Sequence, residues 1–557
     1  TSQGMSMKQL SGSDNIFLFQ EQKNVFNHVA MMMIFDVSTA PQGKVRFKDI
    51  LKHFDDRMYL HPIFRRRLAM VPFGLDRPYW VADKDIDVEY HIRHIALPKP
   101  GDWRQLMIQV ARLHSRPLDR SRPLWEAYVI EGLDNIPKLP PGSFALFMKF
   151  HHASVDGMAG LHLASQLLSL TPSTDAPSAD QKTIYVDRDP SATEFVARAV
   201  SNGINRVLDA GKLSARLAGK FVELGSEQLI GGKGDAEHAE KLSFPKAPAT
   251  RFDAGVSAHR VFDGFGMPLS RIKRVRDKVK GATLNDIFLA VAGGAVRKYL
   301  LSKKELPQES LLALMPMSLR SDASAGGNAV GAATVSVCSD IADPLERLKA
   351  AHYASQTGKH QAEKLGADLV SKLLDTVPSF VGHLLLRKLL LQSVNITVSN
   401  VRGPDVALYL AGAKAMCFYP VSIPTNGAGL NLTGVSYNRV MWLSAVSCRE
   451  MIPDPGFFTQ CMKEAWEELL AAADALPAVA AQAAPAAARA SAKTAASNKP
   501  AAAKKPAVKA STSKASAAPK VASAPKAKPA VRKPAAASAS KAKPLPVVSK
   551  APGKVAK

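Results

Sequence analysis

The chain has 557 residues, 46% of them apolar, and a formal net charge of +25. That length allows two or more domains with large cores, and the composition fits a soluble globular class. The charge is uneven: 17 of the 73 Lys and Arg residues but only one of the 48 acidic residues lie in 471–557, so this tail carries +16 and the rest +9.

Residues 1–7 have no basic start and no apolar stretch, so they read as a disordered leader or a cloning remnant, not a signal peptide. From 8 to 175 helices and strands alternate in an N-terminal domain. Ser13 and Asp14 can cap a short helix. Residues 28–37 read as a strand, 47–58 as a helix, and 60–67 as a turn into a basic stretch. A helix over 103–116 and strands over 125–131 and 144–150 follow. A linker at 171–178 opens a connector, 176–250, in which 192–229 is helical, basic and amphipathic. A C-terminal domain spans 251–470. It holds a helix over 284–301 capped at Thr283, a strand over 311–317 and a helix starting at Asp343-Pro344. Strands over 395–400 and 434–446 and a last helix over 457–470 complete it. In 471–557, repeated Pro denies a long helix and apolar bulk is lacking, so the tail reads as disordered.

Cys338, Cys417, Cys448 and Cys461 form no C-x-x-C pair, and no His cluster has finger spacing. This argues against a structural zinc site and suits a reducing cytosol. The longest apolar run, 380–391, is broken by His383, Arg387 and Lys388 and falls short of the roughly 18 residues of a membrane span.

Residues 151–157 read His-His-Ala-Ser-Val-Asp-Gly, between an apolar strand and a helix-like run. Paired histidines at a strand end, with a carboxylate four residues past the second, suit removal of a proton from a hydroxyl or amine. In acyl transfer from a thioester the donor is already activated, so a base suffices and no enzyme nucleophile is needed. The base can then return the proton to the departing thiolate, while a donor nearby stabilises the oxyanion. Asp156 can hold backbone or a neighbouring Arg, and Gly157 permits close approach of chain or substrate. His-His-x-x-x-Asp also offers metal-ligand types, but other metal signatures are missing. A serine-hydrolase elbow, G-x-S-x-G, is missing too.

Further segments occur in order: Pro123-Leu124-Trp125-Glu126, Asn285-Asp286, Pro316-Met317-Ser318-Leu319-Arg320, Gly327-Asn328, 343–348 and Ser399-Asn400-Val401-Arg402-Gly403-Pro404. Together with the histidine motif they resemble the bacterial wax ester synthase/diacylglycerol acyltransferase family over about 7–470. The resemblance implies an α/β (α+β) fold of two chloramphenicol-acetyltransferase-like domains meeting at a tunnel. It implies His152 as general base, with His151 supporting its position. Asp156 would pair with an Arg, for which Arg320 and Arg402 are candidates. Asn285 is a candidate polar group of the tunnel, or else a helix N-terminal hydrogen bonder. Asn400 and Arg402 would position the acyl donor, or simply form the turn before Gly403-Pro404. Pro123 and Trp125 are structural. Phe288 departs from the small aliphatic residues common there, which reads as core packing. The resemblance implies no cofactor, acyl-CoA as co-substrate, and diacylglycerol or a fatty alcohol as acceptor, hence triacylglycerol or wax ester synthesis.

Two other classes compete. An amide-forming condensation domain shares the histidine motif but takes substrates from carrier domains, none of which is evident. An interaction protein would use the basic tail to bind nucleic acid, other polyanions or anionic lipid. Lipid acceptors imply a cytoplasmic protein held peripherally on a membrane or lipid inclusion, for which 192–229 and 380–391 are candidate interfacial helices.

Overall fold

The computed structural model describes residues 7–155, 160, 163, 166–177, 190–206, 208, 246–318, 330–364 and 394–476. Asp156, Gly157, Arg320, the stretch 380–391 and the tail from 477 lie outside them. The N-terminal half supplies β1 (Lys8–Gln9), β2 (His28–Asp36), β3 (Arg66–Ala69), β4 (Tyr79–Ala82), β5 (Ile92–Ala96), β6 (Trp125–Glu131) and β7 (Phe144–His151). The C-terminal half supplies β8 (Arg260–Pro268), β9 (Leu312–Ser318), β10 (Val330–Ser336), β11 (Ile396–Arg402), β12 (Tyr409–Leu410), β13 (Ala413–Val421), β14 (Leu430–Tyr437) and β15 (Val440–Cys448).

These strands build two six-stranded sheets, β12-β13-β2-β7-β6-β5 and β10-β9-β11-β14-β15-β8, and a small sheet β1-β4-β3. The first sheet is therefore completed by strands from far down the chain. β13 pairs antiparallel with β2 from Lys414↔Asp36 to Val421↔Ala30. A boundary near residue 250 divides the sequence but not this sheet.

Alternation on β2 shows why the sheet is buried on both faces. Met31, Met33 and Phe35 join one core with Ile50 and Phe54 of the helix Phe47–Arg57. Ala30, Met32 and Ile34 join another with Leu106 and Val110 of the helix Trp103–His114. Side chains of period two, apolar on both sides, are what a helix-covered strand requires. β7 is buried along its whole length, including Lys149, which forms an ion pair at 3.1 Å with Glu126 on β6.

The helix Leu284–Lys303 starts where the sequence places it, with Thr283 and Asp286 forming a capping box. Asp343 Oδ1 accepts from the N–H groups of Leu345 (2.9 Å) and Glu346 (2.8 Å) at the start of Pro344–Lys364. Three details differ from expectation. Ser11, not Ser13, caps the first helix, Gly12–Phe19, accepting from Asp14 N–H at 3.0 Å. His151 is the last residue of β7 rather than the first beyond it. The expected strand over 434–446 is part of an antiparallel hairpin, turning at Asn438 (φ 46°) and Arg439 (φ 65°). Such turns usually announce themselves with Asn-Gly, and Arg at the second position hides the signal. Of 192–229, residues 192–206 are described, and they are helical.

Gly264 on β8 fixes how closely β8 can lie against β15. A Cβ there would fall 2.2 Å from the Leu443 carbonyl oxygen and 3.0 Å from the Tyr419 ring. Gly264→Ala is expected to cost about 1–3 kcal/mol of stability through this overpacking, read as a lowered thermal midpoint. An unchanged midpoint would contradict this close approach.

Candidate active site

β7 delivers the histidine pair at its end. His151 stands opposite His28 on β2. Its N–H donates to the Leu124 carbonyl at 3.0 Å, which ties the pair to the Pro123-Leu124-Trp125 segment. Trp125 is fully buried, donates through Nε1 to the Phe64 carbonyl at 3.1 Å, and stacks on His91 at 4.5 Å. Pro123 is buried beside it. These two residues thus serve as the wall behind the strand end.

The two imidazoles have different surroundings. His151 is buried. Its Nδ1 lies 3.1 Å from the Ala153 amide and its Nε2 lies 3.1 Å from Glu21 Oε1. An amide N–H only donates, so Nδ1 accepts and Nε2–H donates to the carboxylate. Both ring nitrogens of His151 are thereby committed. His152 is half-buried, its N–H donates to the Asn27 carbonyl at 2.7 Å, and its ring stacks on Phe17 at 4.1 Å and 14°. Of the pair, His152 is the residue that is partly exposed.

Glu21 organises this corner. Besides His151, it accepts from the Asn27 amide at 2.8 Å and from Arg120 Nη2 at 2.5 Å. Arg120 also donates to the Leu18 carbonyl at 2.8 Å, and Asn27 Nδ2 to the Phe17 carbonyl at 2.7 Å. Burial alone would raise the Glu21 carboxyl, but hydrogen bonds and charge contacts with His151 and Arg120 outweigh it and bring the group from 4.5 down to about 2. Beneath lie further polar groups. His28 donates through Nε2 to the His114 carbonyl at 2.6 Å, and burial pushes both imidazoles down, His114 to about 3. Sequence reasoning missed Phe17, Glu21, Asn27 and Arg120. Glu21 sits in the polar run Gln20-Glu21-Gln22-Lys23-Asn24, which carries no motif.

The two halves of the chain meet here. Asn426 Nδ2 donates to Gln22 Oε1 at 3.1 Å, and buried Arg260 donates through Nη2 to the Asn24 carbonyl at 2.5 Å. Trp103 Nε1 donates across to Asp263 Oδ1 at 2.8 Å.

The remaining expected site residues are placed as follows. Asn285 is half-buried in the first turn of its helix, with Nδ2 3.5 Å from Ser355 Oγ and 3.6 Å from Met315 Sδ. The N-terminal capping falls to Asp286, which also receives His352 Nδ1 at 2.7 Å. Asn400 is half-buried on β11 opposite Gly434. Arg402 is 85% exposed, with Asp405 at 3.7 Å. Its register partner Ser436 precedes Tyr437, whose hydroxyl donates to the Ala415 carbonyl. Ala415 in turn pairs with Phe35, seven residues up β2 from His28. Arg402 is the last residue of β11. The turn after it depends on Gly403, where a Cβ would meet the Ser436 carbonyl oxygen at 2.3 Å. Phe288 is core, packed over Gly434. Asp156, Gly157 and Arg320 lie outside the described residues. Among the described residues no group of three or more His, Cys, Asp or Glu side chains could hold a metal ion, and no helix is long and apolar enough to cross a membrane.

Residues 10–288 match the wax ester synthase/diacylglycerol acyltransferase catalytic domain, and 326–470 match the WS/DGAT C-terminal domain. The chain is 33% identical over 457 residues to a Mycobacterium tuberculosis H37Rv protein named "Probable diacyglycerol O-acyltransferase tgs2", covering 79% of this chain and 94% of that one. Among solved structures it is similar to the wax ester synthase/diacylglycerol acyltransferase of Marinobacter aquaeolei VT8, with 27% identity, a TM-score of 0.59, and coverage of 84% and 100% of the two chains. The first condensation domain of the calcium-dependent antibiotic synthetase, 12% identical with a TM-score of 0.52 and covering 85% of this chain and 97% of its own, shares the fold.

Glu21→Gln keeps the shape of the side chain and removes its charge. Folding lowers the Glu21 pKa from 4.5 to about 2, so the charge stabilises the fold above about pH 4.5 and that contribution fades as pH falls towards 2. The stability gap to wild type is expected to be on the order of 2–3 kcal/mol at pH 7 and to close on acidification, as measured by urea unfolding across pH. A gap that does not change with pH would show that the charge is not what holds the corner.

Proposed function

Since this chain belongs to the wax ester synthase/diacylglycerol acyltransferase family and is an acyltransferase, we propose that it moves a long-chain acyl group from CoA to diacylglycerol or a long-chain alcohol, with His152 as general base. The supporting observation is the commitment of both His151 ring nitrogens, to Ala153 and Glu21, which leaves the proton chemistry to His152. In this reading His152 takes the hydroxyl proton as the acceptor oxygen attacks the thioester carbonyl. The tetrahedral intermediate collapses with cleavage of the carbon–sulfur bond, and His152 returns the proton to the CoA thiolate. His151 acts as a positioning residue, and Phe17 and Asn27 hold His152 in place.

Asp156 is assigned in this reading to a pairing with an Arg, for which Arg320 and Arg402 are the candidates, and Gly157 to contact with substrate. Asn285 and Asn400 are assigned to the substrate passage. Acceptors of this class reside in lipid, so the protein works at the cytoplasmic face of a membrane or on a lipid inclusion. The likeness to condensation domains supports only the fold, and family membership favours ester formation.

His152→Ala is expected to lower transfer from palmitoyl-CoA to dioleoylglycerol or hexadecanol by about 10²–10⁴-fold with the fold retained, as followed by thiol release. Turnover near wild type in the folded variant would remove His152 from its role. The tail, carrying +16 over 471–557, is assigned to polyanion binding. Removing 477–557, which spares the last helix, Pro455–Ala475, is expected to weaken retention on DNA or anionic lipid at low salt, and equal retention would argue against that role.

A further inference from the structure

The segment that carries His152 is a β-turn, closed by the Ser154 N–H donating to the His151 carbonyl at 2.8 Å, with His152 at its second position. Its first position is fixed through the His151 ring and the Leu124 carbonyl, and its second through the Asn27 carbonyl. At the third, Ala153 is buried in one cluster with Leu18, Leu68, Trp80 and Leu124. The fourth position has an anchor of its own. The Ser154 carbonyl accepts from Arg66 Nη2 at 3.1 Å, across 88 residues of sequence.

Arg66 is the first residue of β3, on the small sheet. Its guanidinium lies over the Trp80 ring, 4.3 Å from the centroid. Trp80 stands opposite Leu68, so Arg66 is its diagonal neighbour, a spacing that long side chains bridge. A planar guanidinium stacks with its face and donates with its edge at the same time, which a lysine ammonium cannot do. Trp80 is itself 3% exposed and packs in the cluster that holds Ala153, so one indole seats both the turn and the arginine. Two residues before Arg66, the Phe64 carbonyl receives Trp125 Nε1. Residues 64–66 therefore touch both the Pro-Leu-Trp wall and the histidine turn.

We propose that Arg66 is a positioning residue for acyl transfer, holding the far end of the turn and with it the direction in which His152 presents its ring. The proposal rests on the reading of His152 as general base. Arg66 takes no proton in this role. Packing around Ala153 resists sliding of the turn, whereas a directional, charge-assisted bond at Ser154 resists its rotation. A general base works only within hydrogen-bond reach of its proton, and a misplacement of about 1 Å costs on the order of 10²-fold in rate.

The test uses the full chain. Arg66→Met keeps an unbranched apolar stem over Trp80 and removes the donors. Its kcat with palmitoyl-CoA and dioleoylglycerol is expected to fall about 10–100-fold, with the KM of both substrates and the thermal midpoint little changed. In Arg66→Ala, which opens the seat, guanidinium added below denaturing concentrations is expected to restore part of the rate, and ammonium is not. An unchanged kcat in Arg66→Met would overturn the proposal. So would a raised KM at unchanged kcat, which assigns Arg66 to substrate binding, or a lost rate that follows a lowered midpoint and that guanidinium leaves unrestored. If wild type releases no thiol with any acceptor, the acyl-transfer reading fails. The clamp is then decided by the rate at which diethyl pyrocarbonate modifies His152, read by mass spectrometry. A change in Arg66→Met confined to that histidine supports the clamp, and an equal rate overturns it.

Discussion

One carboxylate holds the histidine corner together. Glu21 receives the His151 imidazole, the Asn27 amide and the Arg120 guanidinium at once. A carboxylate taken out of water is costly unless its oxygens are met by donors, and here they are met by three. The links reach outward from that point. Through Asn27 the carboxylate anchors the His152 backbone, and through the same residue the Phe17 carbonyl, whose ring covers the His152 ring. Through the loop 22–24 it reaches the C-terminal half at Asn426 and Arg260. His151 can stay in one tautomer because its partner stays charged.

Much of the site was legible because motif residues carry their chemistry locally. The histidine pair, the Pro-Leu-Trp wall and the Thr283–Asp286 cap are each readable within a few residues. Glu21 was not, because its contact with His151 spans 130 residues and that with Arg120 spans 99. No periodicity or spacing rule reaches that far. The strand boundaries of β2, β6 and β7 came from apolar runs, but the entry of β13 into their sheet did not, since a strand's sequence names its faces and not its neighbour. The Ser-Asn-Val-Arg-Gly-Pro segment was legible locally as well: Arg402 ends its strand, exposed, and Gly403 makes the close turn that follows.

The distribution of polar and apolar groups is inverted in two places. Under the histidines lie His28, His114 and the Lys149–Glu126 pair, all buried. Burial keeps the two imidazoles neutral, and Lys149, pushed down by the same burial, is matched by Glu126 and by the carbonyls of Leu113 and Arg116. Displacing Lys149 or Glu126 would leave the other charge buried and unpaired. On the small sheet, by contrast, the Phe73 ring stands in water.

The place of β13 has a consequence for how the chain is made. Thr39, just past β2, bonds to the Gly412 carbonyl 373 residues away. During synthesis β2, β6 and β7 leave the ribosome early and can pair, but one edge of β2 stays open until about three-quarters of the chain has followed. That edge is Met-Met-Met-Ile-Phe, an apolar strand with free backbone groups. The nascent chain thus carries an incomplete sheet, with an apolar edge unpaired, for most of its translation.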